Sequence, residues 1–180
     1  MNESIFYLIN SIAGQGYLFD QLIIFFSDRF GYLLVLGLLI SFFFYKDKKQ
    51  GARDILMVLS TAFFAYAIAY IFKHLLPHPR PFEVLSDAYV LYTHGGGDSF
   101  PSGHATFFMA LATSLFFIRR RLALVYVMGA LIIGSMRIAV GVHWPFDILA
   151  GWILGGILGV LGYHILRYIL ARITQKIQIS

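Results

Sequence analysis

The sequence predicts an all-α protein: a polytopic transmembrane helix bundle with five or six membrane helices and an N-terminal amphipathic segment. Three observations carry that expectation. Hydrophobic residues make up 59 % of the 180-residue chain before its 17 glycines are counted, and charged residues only 13 %. A soluble domain carries roughly 25 % charged residues, and a globule of this size could not cover so much apolar surface, so the solvent must be lipid. Cutting the chain at its charges leaves long apolar runs, and Lys and Arg fall asymmetrically between them.

The first 29 residues are patterned differently from the rest. Ile5, Phe6, Ile9 and Ile12 share one helical face, Gly14-Gln15-Gly16 interrupts it, and Leu18, Leu22, Phe25 and Phe26 resume it opposite Asp20, Asp28 and Arg29. This suits an amphipathic helix pair lying in the interface, with a sixth span as the alternative. No Lys or Arg precedes the apolar residues, which argues against a cleavable signal peptide.

Five uncharged runs follow, at 30–45, 55–72, 105–118, 122–136 and 148–166. Each is at or slightly below the roughly 17–25 residues of a spanning helix, and reaches that length if its flanks are helical. The chain reads as a single membrane-embedded domain, 1–180, with 1–29 as its interfacial segment or first helix. With no Cys, disulfides, thiolate nucleophiles and Cys-ligated metals are excluded.

Of the 14 Lys and Arg, Lys46, Lys48, Lys49, Arg53, Arg119, Arg120, Arg121, Arg167, Arg172 and Lys176 all fall on one side when the five runs alternate. The positive-inside rule makes that side cytoplasmic. A net charge of +5 therefore reflects membrane orientation, and no nucleic-acid partner is expected. The same alternation brings Lys73, Ser102, Arg137 and Asp147 to the opposite, extracytoplasmic face.

Three segments meet there. In KHLLPHPRP (73–81), Lys73 ends a span and the prolines hold Arg80 in extended chain; taken singly, either cation reads equally well as a snorkelling side chain. In FPSGH (100–104), Ser102 suits the N-cap of the third span, with Gly103 and His104 in its first turn. The free N–H groups and the positive helix end there form an anion cradle, and Gly103 offers no side chain to block a close approach. In SMRIAVGVHWPFD (135–147), Arg137 closes a span, Pro145 opens the next helix and Asp147 falls in its first turn. Asp147 can therefore fold back onto His143, taking its Nδ1–H and leaving Nε2 free as a nucleophile or base.

Three cations gathered at one face repel each other unless an anion sits among them, and Arg fits phosphate through its planar fork. The chemistry this implies is phosphoryl transfer, with one His as nucleophile and the other as acid. A metal site competes poorly, because Asp147 is the one nearby carboxylate and the cations would repel a metal ion.

At this point the residues carry a family resemblance. K-x6-R-P at 73–81, P-S-G-H at 101–104 and S-R-x5-H-x3-D across 135–147 resemble, in order and spacing, the three signature motifs of the type 2 phosphatidic acid phosphatase superfamily. The resemblance implies a catalytic segment at 73–147, with His143 as a nucleophile forming a phosphohistidine, Asp147 as its orienting partner and His104 as general acid. It implies that Lys73, Arg80, Ser102, Gly103 and Arg137 hold phosphate oxygens, and that neither metal nor other cofactor is needed. The family's small bacterial members act on lipid phosphates, so the expected substrate is a lipid phosphate or diphosphate in the plasma (inner) membrane. Undecaprenyl diphosphate comes first, and phosphatidylglycerol phosphate or another phospholipid phosphate second. Two rivals are weaker: an anion or lipid transporter, whose charges would lie mid-membrane, and a vanadate-dependent oxidase, whose related haloperoxidases resemble this chain only in the site motifs and have a large soluble frame that is absent here.

The remaining features have plainer expectations. Gly151, Gly155 and Gly159 form a small-residue stripe, read as internal helix packing in preference to a dimer contact. His74, His78 and His94 are read as interfacial, with His78 a potential substrate contact, and His164 as structural. Glu83 is assigned either to a headgroup or to an Arg. Residues 82–100 are read as a mobile outer loop able to cover the site.

Overall fold

The computed structural model describes residues 2–93 and 97–179, apart from the side chains of residue 174 and of 176–179. His94, Gly95, Gly96 and the Lys176 side chain lie outside that description. Its helices are α1 (Asn2–Asn10), α2 (Tyr17–Ile24), α3 (Phe30–Ile40), α4 (Lys48–Leu75), α5 (Pro81–Val84), α6 (Gly103–Phe116), α7 (Arg120–Ala139) and α8 (Pro145–Ile179). Four helical stretches are long and apolar enough to cross a membrane: Tyr17–Phe44, Lys48–Leu75, Arg120–Ala139 and Pro145–Ile173. The expected third span is the shorter apolar helix α6, at 14 residues.

The start of the chain departs from expectation. The glycine break falls where predicted, with Gly14 at φ +77° and Gly16 at φ +147°, a conformation that few residues other than glycine adopt. Beyond it, however, Tyr17 begins a helix that runs through a π turn (Phe25–Arg29) into α3 and a closing 3-10 turn (Ser41–Phe44). The predicted second interfacial helix is thus the first half of a 28-residue candidate span. The π turn absorbs the polar Ser27-Asp28-Arg29 without breaking the helix.

Local chemistry sets the other boundaries. Asp47 caps α4, its carboxylate accepting from the N–H groups of Lys49 (2.8 Å) and Gln50 (3.2 Å). At its far end α4 stops two residues before Pro77. Ser102 is the N-cap of α6 and Pro145 the first residue of α8, both as predicted.

α6 is the central helix. Leu111 and Leu115 on it are buried with Leu34, Leu38, Val58, Tyr126 and Ile133 from α3, α4 and α7. The Tyr126 hydroxyl meets its hydrogen-bonding need inside this core by donating to the Leu34 carbonyl (2.9 Å). The glycine stripe of α8 packs on α6: a Cβ at Gly155 would lie 2.3 Å from the Thr106 carbonyl oxygen, and one at Gly159 would lie 2.8 Å from that of Ala110. Internal packing thus accounts for the stripe. Facing outward are exposed apolar side chains such as Phe43, Leu56, Phe63, Ile153 and Ile165, the surface of a lipid-facing protein.

α1 docks against the end of the bundle formed by the α7–α8 connection. Phe6 is fully buried, with its ring 5.4 Å from Trp144. Asn10 donates to the carbonyls of Tyr89 and Ala139 (both 2.8 Å) and accepts from the Tyr89 N–H (2.9 Å). Its amide therefore ties the outer loop to the end of α7. Tyr7 fastens the same loop by donating to Asp87 (2.6 Å), and Leu91 N–H reaches the Val140 carbonyl (3.3 Å). The predicted mobile loop is therefore pinned over 87–91. Gly141 makes room for it: its φ is +88°, and a Cβ there would meet the Tyr89 carbonyl oxygen at 2.4 Å.

Candidate active site

The segments holding Lys73, Arg80, Ser102–His104, Arg137, His143 and Asp147 converge at one end of the bundle. Ser102 N–H donates to the Asp147 carbonyl (3.1 Å), joining the first turns of α6 and α8. Trp144 Nε1 donates to the Pro79 carbonyl (2.9 Å), fastening the proline segment to the α7–α8 connection.

His143 and Asp147 form the predicted pair. Imidazole Nδ1 lies 3.3 Å from the carboxylate Oδ2, which also accepts from the Trp144 N–H at 2.8 Å. Both residues are buried. A carboxylate at Nδ1 favours the tautomer with its proton there, so Nε2 carries the lone pair. Burial, then the charges of Arg137, Lys73 and Arg80, hold the His143 imidazole well below the ordinary range for histidine. Both effects favour the neutral imidazole.

The cations are positioned mainly by main-chain oxygens. Lys73 Nζ donates to the carbonyls of Asp98 (2.9 Å) and Ser99 (3.2 Å). Arg80 donates from Nε to Gly97 (3.0 Å) and from Nη1 to Val142 (2.8 Å). Arg137, only 4 % exposed, donates from Nη1 to the Ser27 carbonyl (3.2 Å). Neutral acceptors orient a cation without cancelling its charge, so the cluster keeps its demand for an anion. Burial works against the charge on Arg80, opposed by Glu83, Asp147 and Asp98. Arg80 keeps the extended backbone (φ −77°, ψ 156°) predicted from its prolines.

Other predicted residues take more specific places. Ser102 is fully buried, and its hydroxyl caps α6 through a long contact of 3.5 Å to Ala105 N–H. Gly103 makes room for a protein group: a Cβ there would meet the Tyr66 ring at 2.8 Å. His104 opens onto an apolar groove of about 590 Å³ lined by Gly31, Val35, Phe63, Tyr66 and Phe107. The Glu83 carboxylate accepts from the Arg80 main-chain N–H (2.8 Å) and so holds the backbone of that segment. His78 is exposed with Nδ1 3.1 Å from the Ser99 hydroxyl, His74 turns to the Tyr70 carbonyl, and His164 packs edge-on to Phe117. In the third motif Met136 stands between Ser135 and Arg137, so the match is R-x5-H-x3-D with its serine one position displaced. Among the described residues no cluster of His and carboxylates suits a metal ion.

Sequence reasoning missed Asn10, Ser27 and Tyr92. Ser27 carries a faint signal, as the first polar residue of a three-residue polar island in an apolar helix. Tyr92 carries none, because a tyrosine in a loop beside a membrane reads as interfacial.

Comparison with known proteins gives the chain a family. The sequence model of the PAP2 superfamily matches residues 54–171. The Escherichia coli (strain K12) protein named putative undecaprenyl-diphosphatase YbjG is 31 % identical, over 99 % of this chain and 89 % of its own. The undecaprenyl-diphosphatase BcrC of Bacillus subtilis (strain 168) is 29 % identical, over 91 % and 83 %. In three dimensions, the crystal structure of Aquifex aeolicus LpxE superimposes with a TM-score of 0.73 at 25 % identity, covering 89 % of this chain and 93 % of that one. A family match across most of the chain, with relatives aligned nearly end to end, makes this chain a member of the PAP2 superfamily and a membrane lipid phosphatase.

Proposed function

We propose that the protein hydrolyses undecaprenyl diphosphate at the outer face of the plasma membrane through a phosphohistidine on His143. The observation that carries the mechanism is the buried His143–Asp147 pair set among three cations. The relatives named undecaprenyl-diphosphatase support the substrate. So does the charge: a diphosphate carries more negative charge than a phosphate monoester and suits three cations better.

In this reading Nε2 of His143 attacks the terminal phosphorus, the bond from phosphorus to the bridging oxygen breaks, and His104 protonates that oxygen as the lipid monophosphate departs. Water then attacks the phosphohistidine with His104 as base, releasing phosphate and restoring the imidazole. Lys73, Arg80, Arg137 and the first turn of α6 at Ser102 and Gly103 hold the equatorial oxygens. The groove beside His104 gives the departing lipid an apolar path. No metal is required, since cations and one carboxylate around His143 make a poor seat for a divalent ion.

The membrane arrangement follows the charges. α6 crosses as a fifth, short span with the four longer stretches, α1 lies at the outer surface, and the whole chain is one domain. The Lys- and Arg-rich ends of α4, α7 and α8 then face the cytoplasm.

The decisive experiment is to mix the purified protein with substrate labelled in its terminal phosphate, in EDTA, and quench within milliseconds in alkali. A protein-bound label stable to alkali and lost in acid, absent from His143→Ala, is expected. Turnover that requires added Mg²⁺, or a label that persists in His143→Ala, would overturn the mechanism.

A further inference from the structure

We infer that Tyr92 is a positioning residue for Arg137, the terminus of a hydrogen-bond chain anchored in the π turn of the first long helix. The inference rests on the phosphate-holding role proposed for Arg137. Arg137 Nη1 lies 3.2 Å from the Ser27 carbonyl and 3.4 Å from the Tyr92 hydroxyl. That hydroxyl lies 2.9 Å from Ser27 Oγ, and Ser27 Oγ lies 3.1 Å from the Ile24 carbonyl.

Counting protons gives the chain a direction. A serine has one hydroxyl proton, and at Ser27 it goes to the Ile24 carbonyl, which can only accept. Ser27 Oγ must then accept from Tyr92, which leaves the Tyr92 oxygen to accept from the guanidinium. Every link points the same way, from the cation into the helix, and such chains strengthen one another in a buried setting. The anchor is rigid, because Ser27 is fully buried and sits in the π turn, a local widening that recurs at functional sites.

The effect falls on the far side of the guanidinium. With Nη1 occupied, Arg137 Nε is buried and without a partner among the described residues. A guanidinium grips two phosphate oxygens with adjacent N–H groups. Fixing Nη1 turns the other edge, Nε with Nη2, towards the anion. The outer loop, through Tyr92, thus sets the angle at which a buried arginine meets phosphate.

The test uses the full-length protein in detergent, with vanadate as the probe of the phosphate site. Tyr92→Phe keeps the ring and removes the hydroxyl. Losing one hydrogen bond to a charged group should weaken vanadate inhibition about 10-fold with little change in Tm. Ser27→Ala should weaken it less, because its carbonyl remains. Tyr7→Phe removes a different fastening of the same loop and should leave inhibition unchanged. In an Arg137→Lys background, Tyr92→Phe should have no further effect. Unchanged inhibition in Tyr92→Phe, equal loss in Tyr7→Phe, or full additivity with Arg137→Lys would each overturn the proposal. An Arg137→Lys protein with ordinary vanadate inhibition and turnover would overturn the role of Arg137 as well, which separates the two failures.

Discussion

At the end of the bundle that gathers Arg119, Arg120 and Arg172, cations lie on aromatic rings. The Arg119 guanidinium sits 3.8 Å from the centre of the Tyr45 ring, that of Arg120 lies 5.2 Å from Phe116, and that of Arg172 lies 5.2 Å from Tyr168. At the other end, Lys73, Arg80 and Arg137 are partly or wholly buried and held by carbonyl and hydroxyl oxygens. Arg120 and Arg172 are exposed, so their charge is screened by water and headgroups and can swing along the interface. A cation held by several neutral acceptors in a buried place is fixed in direction, and those acceptors leave its charge unpaired. In the mechanism and membrane arrangement proposed above, the same residue type anchors the protein in lipid at one end and organises chemistry at the other.

The largest test of this contrast concerns the group beside the organised cations. General acid catalysis contributes roughly 10²–10⁴-fold. His104→Ala should lose that factor on an alkyl phosphate, whose leaving alkoxide needs a proton. It should lose far less in the single-turnover burst from nitrophenyl phosphate, whose phenolate leaves unaided. Equal loss on both substrates would move His104 out of the acid role.

A smaller effect compares the two ends directly. Arg137→Lys keeps the charge but loses the fork, and should lower kcat/KM about 10- to 100-fold, the weight of a charge-assisted hydrogen bond or two. Arg120→Lys should change neither activity nor stability by more than about 0.5 kcal/mol. Comparable kinetics for the two variants would erase the distinction between the ends.

The subtlest effect is on pH. Because burial and the neighbouring cations push His143 below the ordinary histidine value of about 6.5, its neutral form, the one that attacks in the proposed mechanism, persists as the solution is acidified. The acid limb of the single-turnover phosphorylation rate should then lie below that pH. Removing a cation removes part of the depression, so Lys73→Gln should move the limb upward, whereas Arg172→Gln at the far end should leave it in place. A limb that Lys73→Gln leaves unmoved would mean that Lys73 has no part in setting the His143 charge state.

Much of this was legible in the sequence because it depends on near neighbours in the chain. The i,i+4 spacing of His143 and Asp147, the cap at Ser102, the prolines around Arg80 and the glycine stripe of α8 are local patterns with local causes. What was missed depends on distance. Asn10 bonds to a residue 129 positions away and Tyr92 to one 65 positions away, and no periodicity encodes such pairs. The continuous helix Tyr17–Phe44 was hidden for a related reason. Ser27-Asp28-Arg29 looks like the end of a helix until the partners of Ser27 are known: it is buried, with its carbonyl on Arg137 of α7 and its hydroxyl on Tyr92 of the outer loop.

α6 has a consequence for the work of catching a substrate. Its 14 residues rise about 21 Å, against a hydrocarbon layer roughly 30 Å thick. In the five-span arrangement proposed above, the first turn of this helix, with Ser102 and His104, opens several ångströms beneath the plane where headgroups ordinarily lie. A phosphatase with its machinery at the water boundary would have to lift each lipid towards it, and every methylene drawn out of the bilayer costs about 0.8 kcal/mol. In that arrangement the short helix would instead sink the machinery to meet the lipid, with the bilayer thinning locally around the protein. Capture then becomes a sideways diffusion within the leaflet, and its rate should follow the thickness and fluidity of the membrane more closely than the composition of the water outside.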